Sequence, residues 1–145
     1  MTVEDIDDLC QMMNRDDREY GKFFQAFDGN VKTLEDDLTK ANRDLYVVIR
    51  IDKAVAGFFM LRGLDAGYQV PAFGVYISQS YSRRGLSKIA LNYAVAWCKL
   101  NNYQELMLTV HPENTPAFLL YEKEDFFFTG RYSGLGHMIW KRRIS

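Results

Sequence analysis

The apolar positions near the start of the chain recur at helical spacing. Thr2 is placed to cap a first helix, because the acidic residues Glu4 and Asp5 that follow suit the positive end of a helix. A second helix is predicted to begin with Thr33 as its cap, and residues 14–30 between the two are less regular. The predicted buried stripes are Ile6, Leu9, Cys10 and Met13 for the first helix and Leu34, Leu38 and Ala41 for the second.

From residue 45 the pattern changes to that of strands. Residues 45–51 and 54–61 are rich in apolar, β-branched and aromatic side chains, and residues 52–53 between them predict a tight turn. Residues 63–67 contain two glycines and predict a second turn, and residues 70–78 predict a third strand. This segment is therefore interpreted as a hairpin followed by one more strand.

Helices and strands alternate in the rest of the chain. A helix is predicted from Leu86 to about residue 101, followed by an alternating strand at residues 105–110. Thr115 is the predicted cap of the next helix, and residues 126–129 and 136–142 predict two closing strands. The predicted buried faces are Ile89, Tyr93, Ala96, Trp97 and Leu100 on the helix and Leu106, Leu108 and Val110 on the strand.

The order of these elements predicts one α/β domain over residues 1–145, layered around a mixed sheet. Hydrophobic residues make up 48% of the chain and charged residues 26%, which is the balance of an ordinary globular domain. No apolar run approaches the roughly 20 residues that a membrane helix needs, and the acidic start is unlike a signal peptide. Membrane association is therefore not expected.

Charge and cysteine content narrow the function further. The net charge of −1 gives no general attraction for nucleic acid. Cys10 and Cys98 are far apart, without a CxxC pair or nearby histidines, which predicts no metal site and no disulfide framework. Both are most simply buried apolar groups, and the reducing cytoplasm is the predicted compartment.

Charge is distributed unevenly along the chain. Residues 1–44 carry twelve acidic and six basic side chains, a net −6, whereas the remainder carries a net +5. The basic part is suited to a polyanionic small molecule and the acidic part to a cationic one. The alternative is a set of ordinary solvated faces.

The first stretch with recognisable chemistry follows the third predicted strand. It reads Ser82-Arg83-Arg84-Gly85-Leu86-Ser87 and leads directly into a helix. Free amides at a helix start, the positive helix end and two guanidinium groups together suit a pyrophosphate. The alternative is that Arg83 and Arg84 are solvated surface residues.

A second stretch makes a family resemblance specific. Residues 114–123 read Asn-Thr-Pro-Ala-Phe-Leu-Leu-Tyr-Glu-Lys, which resembles a signature of the GNAT superfamily of acyl-CoA-dependent N-acyltransferases. Residues 82–87 resemble the family's pyrophosphate loop, and the two stretches come in the family's order and separation. The resemblance covers about residues 45–142. It implies a mixed, mostly antiparallel central sheet with splayed central strands, flanked by helices.

The resemblance also implies roles for individual residues, with acetyl-CoA as the acyl donor. Main-chain amides from Arg83 through Ser87, with Gly85 and Leu86 between them, are expected to hold the pyrophosphate. Val75, Tyr76 and Ile77 are expected to pair with the pantetheine through main-chain groups, and the Val75 amide to polarise the thioester carbonyl. The resemblance further implies that Asn114 forms a hydrogen bond on the pantetheine side of the cofactor and that Tyr121 protonates the departing thiolate.

These roles have structural alternatives. Tyr121 could be an ordinary core aromatic, and Asn114 could serve only to start the helix. The sequence also departs from the family's pattern at three positions. Ser82 stands where glutamine or arginine is usual, Ser87 where glycine or alanine is usual, and Asp125 where a glycine usually precedes the aromatic residue. The family's first strand is missing, so the sheet is expected to begin one strand short, or the start of the protein is not represented.

The acceptor is expected to be the primary amine of a small molecule, an amino sugar among them. Its pocket is assigned to the N-terminal helices, the turn at residues 63–68 and the closing strands. Direct attack on the thioester is expected, since neither cysteine falls at a signature position. The aromatic residues proposed to line the pocket are Tyr20, Phe23, Phe24, Phe27, Tyr68 and Phe73, and the candidate bases are Asp65, Tyr68, Tyr76 and His111.

Other functions are compatible with the same sequence. One alternative is a module of the same fold that binds acyl-CoA or regulates through it, with little turnover. Another is an N-acetyltransferase of proteins or peptides, and a third is an α/β interaction domain with coincidental motifs. Dimers are common among similar proteins, so a homodimer stays open.

Overall fold

The computed structural model describes residues 1–22, 31–131 and 137–144. Phe23, Phe24, Phe27 and the glycines at 134 and 136 lie outside the described residues. The helices are α1 (Val3–Arg15), α2 (Arg18–Gly21), α3 (Val31–Lys40), α4 (Leu86–Leu100) and α5 (Thr115–Lys123). The strands are β1 (Leu45–Ile51), β2 (Ala54–Arg62), β3 (Ala72–Ile77), β4 (Glu105–Val110), β5 (Phe127–Arg131) and β6 (Met138–Arg143).

The strands form one sheet of the order β1-β2-β3-β4-β6-β5. Every neighbouring pair is antiparallel except β3 and β4, which are parallel. The expected α/β fold with a mixed, mostly antiparallel sheet is therefore confirmed.

Two apolar clusters cover the two faces of the sheet. On one face α4 packs over the sheet, and the buried cluster includes Phe59, Leu91, Leu106 and Leu108. On the other face α1 and α3 cover β1 to β3, in a cluster that includes Leu9. Because residues of a strand alternate between faces, β3 contributes to both clusters and is central to the fold.

The predicted hairpin is confirmed, with β1 and β2 joined at Asp52 and Lys53. Both turn residues have positive φ, 49° and 73°, as a two-residue hairpin turn requires. At the base of the hairpin the Asp65 carboxylate accepts hydrogen bonds from the main-chain amides of residues 42–44, at 2.8–3.1 Å. These bonds hold the pKa of Asp65 below its usual value and fix the entry to β1.

The first helix begins as predicted. The Thr2 amide donates to the Asp5 carboxylate at 2.8 Å, which satisfies a free donor at the helix start. The Arg50 guanidinium on β1 donates to the same carboxylate at 2.7 Å and lowers the pKa of Asp5. The start of α1 is thereby attached to the sheet.

Several helix predictions were wrong in detail. Helix α3 begins at Val31, so Thr33 lies inside it, and Asn114 rather than Thr115 is the N-cap residue of α5. Met12 rather than Met13 is fully buried in α1. The short helix α2 was not predicted, because it lacks an apolar period of its own.

The largest error concerns the buried face of α4. Four residues of the predicted stripe are solvent-exposed, among them Ile89 at 61% and Leu100 at 82% of full exposure. The buried face lies one position further along: Ala90, Leu91, Ala94, Val95 and Cys98. Small residues at Ala90 and Ala94 let the helix lie close to the sheet, so packing selects this face over the more hydrophobic one.

Candidate active site

The parallel strands β3 and β4 are joined at one end only. They pair at a single position, Ala72 with Met107, where the Met107 amide donates to the Pro71 carbonyl at 3.0 Å. No further pair joins these two strands in the described chain, so their carboxyl-terminal halves are separate. We call the space between them the β3–β4 gap. Separated strands at this position are what the resemblance led us to expect.

The main-chain groups that face the β3–β4 gap follow from two hydrogen bonds. The Pro71 carbonyl points toward β4, whereas the Ser78 amide donates to the Ala56 carbonyl on the β2 side, at 2.7 Å. Because main-chain groups alternate between the two edges of a strand, those of Val75 and Ile77 face the gap. The strand edge of β3 therefore presents the main-chain groups of two of the three residues that the resemblance assigned to the pantetheine. The main-chain groups of the third, Tyr76, face β2 instead.

The loop after β3 ends in a helix start without a side-chain cap. Gly85 is the N-cap residue of α4, with φ 81°, and Arg83 also has positive φ, 62°. The first amides of α4 have no acceptor within the helix, and none of the hydrogen bonds between described residues supplies one for Leu86, Ser87 or Lys88. These amides, at the positive end of the helix dipole, suit an anion.

A cavity of about 240 Å³ lies beside this helix start, and we call it the Gly85 cavity. Apart from its two chain neighbours, no described residue has an atom within 4 Å of the place where a Cβ on Gly85 would stand, so the turn is open to a ligand. A blocked turn or fully paired strands would have excluded a pyrophosphate and pantetheine here, and neither is found. The cavity is lined by Tyr20, Ile77, Tyr81, Ser82, Arg83, Gly85, Leu86, Ser87, Lys88 and Leu120.

The polar side chains of the loop have different surroundings. The Ser82 hydroxyl donates to the Gln79 carbonyl at 2.8 Å and so stabilises the loop itself. Arg83 and Arg84 are both exposed and make no ion pair with the described residues, but Arg84 also lies against the ring of Tyr81, 5.7 Å from its centroid. Arg83 is thus the arginine more available to a phosphate.

Asn114 and Tyr121 sit at the start and in the middle of α5. Although Asn114 is the N-cap residue of α5, its side chain makes no capping hydrogen bond to the helix. The start of the helix therefore does not use the side-chain amide of Asn114. Tyr121 is buried, at 8% exposure, with its ring edge-on to Phe126 at 5.5 Å. Burial raises the pKa of Tyr121 to about 12. Tyr121 lies in the apolar cluster, and its neighbour Leu120 lines the Gly85 cavity instead.

The four candidate bases have different environments. The carboxylate of Asp65 accepts hydrogen bonds from three main-chain amides, which lower the pKa of Asp65. Asp65 is therefore a poor proton acceptor. The Tyr76 hydroxyl donates to Asp16 at 2.7 Å, and burial raises its pKa far above the usual value. Tyr68 is largely exposed. Asp65 and Tyr76 are therefore unsuited to accepting a proton in the gap.

His111 follows β4 directly and lies at the open end of the gap. Its Nδ1 atom accepts a hydrogen bond from the Glu113 amide at 3.1 Å, which places the proton of the neutral ring on Nε2. The ring of His137 stands edge-on to it, with the ring centroids 5.4 Å apart. Sequence reasoning missed His137; the pairing of Val110 with Met138 brings the two histidines together.

Of the residues assigned to the acceptor pocket, the structure describes three, and these three are not brought together. Phe73 is 5% exposed and packs in the core against Phe59, so its assignment to the pocket was wrong. Tyr68 lies on the exposed turn, and Tyr20 lines the Gly85 cavity.

Asp16 at the end of α1 organises the start of the loop, and no motif or period in the sequence indicated this role. Its carboxylate accepts hydrogen bonds from the Tyr76 hydroxyl at 2.7 Å and from the Ser78 hydroxyl and the Gln79 amide at 3.1 Å each. It thereby connects the N-terminal helices to the end of β3.

Comparison with known proteins identifies the family. A model described as the acetyltransferase (GNAT) family matches residues 6–126, which is most of the chain. The protein therefore belongs to the GNAT family of acetyltransferases.

Solved structures share the fold over nearly the whole chain. The PaiA N-acetyltransferase from Thermoplasma acidophilum in complex with coenzyme A is 16% identical, with a TM-score of 0.82 over 99% of this chain and 95% of that one. A GNAT acetyltransferase from Streptococcus pneumoniae is 18% identical, with a TM-score of 0.76 over 99% and 96%. A variant of the spermidine N-acetyltransferase SpeG from Vibrio cholerae is 18% identical, with a TM-score of 0.77 over 100% and 93%. At these identities the similarity establishes the fold.

The described residues offer neither a metal site nor a membrane-spanning helix. Within residues 1–22, 31–131 and 137–144, no three His, Cys, Asp or Glu side chains are grouped so that they could hold a metal ion. No helix in the same described ranges has both the length and the apolar character needed to cross a bilayer.

Proposed function

We propose that this protein is an acetyl-CoA-dependent N-acetyltransferase that acts on the primary amine of a small molecule. The observation that carries the proposal is the β3–β4 gap, which opens beside the uncapped amides at Gly85. An extended pantetheine needs unpaired strand edges and a pyrophosphate needs convergent amides. The β3–β4 gap offers the first and the Gly85 cavity the second, and Ile77 at the end of β3 lines that cavity. The residues present therefore fit coenzyme A.

In the proposed reaction acetyl-CoA supplies a thioester, and the residues of this chain act on its oxygen and sulfur. The amine nitrogen bonds to the carbonyl carbon, and the Val75 amide stabilises the negative charge that develops on the carbonyl oxygen. When the carbon–sulfur bond breaks, the Tyr121 hydroxyl donates its proton to the sulfur, and the proton lost by the amine returns to solvent or to Tyr121.

The two cysteines support direct attack. Cys10 and Cys98 are both buried in apolar clusters, one on each face of the sheet. Burial raises the pKa of the Cys98 thiol to about 11, so it stays protonated and a poor nucleophile. An acyl-cysteine intermediate therefore lacks a suitable thiolate at Cys98, and Cys10 is buried in the cluster under the N-terminal helices.

The acceptor class follows from charge. The N-terminal helices carry most of the acidic excess of residues 1–44, and Asp16 and Asp17 at the end of α1 lie against the loop after β3. An acidic surface beside the gap favours a cationic acceptor. One of the structural neighbours is a spermidine N-acetyltransferase, so we include polyamines with amino sugars as candidate acceptors.

A second candidate function is acyl-CoA binding with little turnover. The observation that favours it is the position of Tyr121, which is buried in the core cluster and does not line the Gly85 cavity. If Tyr121 has no access to the sulfur, the same fold would bind the cofactor without efficient protonation of the leaving group.

Binding and turnover separate these functions. We expect acetyl-CoA to raise the melting temperature, because a ligand of the folded state stabilises it. We then expect free thiol to be released when a panel of polyamines, amino sugars and peptide amines is added with acetyl-CoA. Stabilisation without thiol release from any amine would support the binding module, and no stabilisation would contradict both functions.

The loop arginines provide a test of the proposed pyrophosphate site. We expect Arg83→Ala to weaken coenzyme A binding about tenfold, because one charge-assisted phosphate contact is lost. Titration calorimetry at two salt concentrations measures this, and the difference from wild type should shrink at high salt. Lys99→Ala removes the same charge at the far end of α4 and serves as control. Equal affinities for Arg83→Ala and Lys99→Ala would remove Arg83 from the site.

A further inference from the structure

Tyr20 on α2 makes a contact that the proposed reaction does not explain. Its hydroxyl donates a hydrogen bond to the main-chain carbonyl of Ile77 at 2.5 Å. Its ring stands edge-on to Tyr76, with centroids 6.1 Å apart and an interplanar angle of 85°. Burial, followed by the nearby Asp16 carboxylate, raises the pKa of Tyr20, so the hydroxyl keeps its proton and remains a donor.

The carbonyl that Tyr20 holds lies on the edge proposed for the cofactor. Ile77 is the last residue of β3, and its main-chain groups face the β3–β4 gap. Tyr20 and Ile77 also line the Gly85 cavity together. The hydroxyl therefore stands between the helix start at Gly85 and the strand edge of β3.

Helix α2 is attached at this place by the residues that precede it. The Asp17 amide donates to the Gln79 side chain at 3.0 Å, and the Gln79 amide group donates back to the Asp17 carboxylate at 3.0 Å. The Gln79 main-chain amide also donates to Asp16. These bonds fix the start of α2 to the end of β3, which places Tyr20 at the gap.

We propose that Tyr20 competes with the pantetheine of acetyl-CoA for the Ile77 carbonyl and so determines how tightly the cofactor binds. This inference rests on the proposed function, because it requires coenzyme A to lie in the β3–β4 gap. A pantetheine amide that pairs with Ile77 has to displace the Tyr20 hydroxyl or share the carbonyl with it. The cost of that displacement lowers the affinity for the cofactor.

Tyr20→Phe tests the competition without disturbing the fold. The ring and its contact with Tyr76 are kept, and only the hydroxyl is removed. We expect the variant to bind coenzyme A about three- to tenfold more tightly than wild type in titration calorimetry, which corresponds to the loss of one net hydrogen bond. Tyr93→Phe removes the hydroxyl of an exposed tyrosine on α4 and should leave the affinity unchanged.

A second ligand assigns the effect to the pantetheine. Adenosine 3′-phosphate 5′-diphosphate carries the phosphates of coenzyme A but no pantetheine, so its affinity should be the same for wild type and Tyr20→Phe. Unchanged coenzyme A affinity in Tyr20→Phe, weaker affinity, or an equal gain for the nucleotide would each overturn the inference. Failure of wild type and both variants to bind either ligand would instead contradict the proposed function together with the inference.

Discussion

Tyr121→Phe is expected to lower kcat about a hundredfold while leaving the affinity for acetyl-CoA unchanged. The hydroxyl is assigned the proton that the departing sulfur needs, and general acid catalysis contributes on the order of 10²–10⁴ in rate. The aromatic contact with Phe126 survives the substitution, so the core packing is retained. Steady-state kinetics and titration calorimetry on the same preparation measure the two quantities.

Tyr46→Phe is the matched control for this substitution. Tyr46 is also buried, but it belongs to the cluster on the opposite face of the sheet, under α1 and α3. We expect its kcat to equal that of wild type. Equal kcat values for Tyr121→Phe and Tyr46→Phe would show that Tyr121 is a core aromatic without a role in proton transfer.

The pH dependence adds a second criterion. Burial raises the pKa of Tyr121 from 10.0 to about 12, so its hydroxyl remains protonated and able to donate up to at least pH 10. Because the pKa of Tyr121 is higher in the folded chain, the unfolded chain loses this proton first. The contribution of the protonated hydroxyl to folding stability is therefore present below pH 10 and is lost as the pH rises toward 12. We therefore expect the hundredfold ratio between wild type and Tyr121→Phe to be constant from pH 7 to pH 9.

The strands could be predicted from the sequence because each carries its own signal. The alternation of Leu106, Leu108 and Val110 defined β4 with its observed bounds, and all three side chains are buried. Helix α4 shows where local pattern fails. Both Ile89 with Tyr93 and Ala90 with Ala94 lie at helical spacing, and only packing against the sheet decides which face is buried.

The candidate site likewise contains features that local sequence predicts and contacts that it does not predict. The loop around Gly85 is local, so its residue types predicted the open helix start. The contacts of Asp16 with Tyr76 and of Tyr20 with Ile77 join residues that are 60 and 57 positions apart. No period or short motif in one sequence links such positions, and only the assembled sheet brings them together.

Gly57→Ala is expected to destabilise the protein by about 2–3 kcal/mol, which corresponds to a fall in melting temperature of about 5–10 °C. A Cβ on Gly57 would clash with the Tyr76 carbonyl oxygen and would stand 2.9 Å from the Ile77 Cδ1 atom. The carbonyl belongs to the backbone of β3, so relief of the contact requires the pairing of β2 and β3 to shift. The shift would displace the main chain of Tyr76 and Ile77. Because Ile77 lies on the edge proposed to bind the pantetheine, coenzyme A binding should weaken as well.

Gly74→Ala separates this contact from the general effect of replacing a strand glycine. Gly74 also lies in β3, but its Cβ would meet only the Met60 side chain, at an ordinary 3.5 Å. Alanine restricts the unfolded chain in both variants, so Gly74→Ala should melt within about 2 °C of wild type or slightly above it. Denaturation of the two variants side by side measures the difference. Similar melting temperatures for Gly57→Ala and Gly74→Ala would mean that β2 and β3 accommodate the Cβ, and the close approach of these strands would then not require glycine.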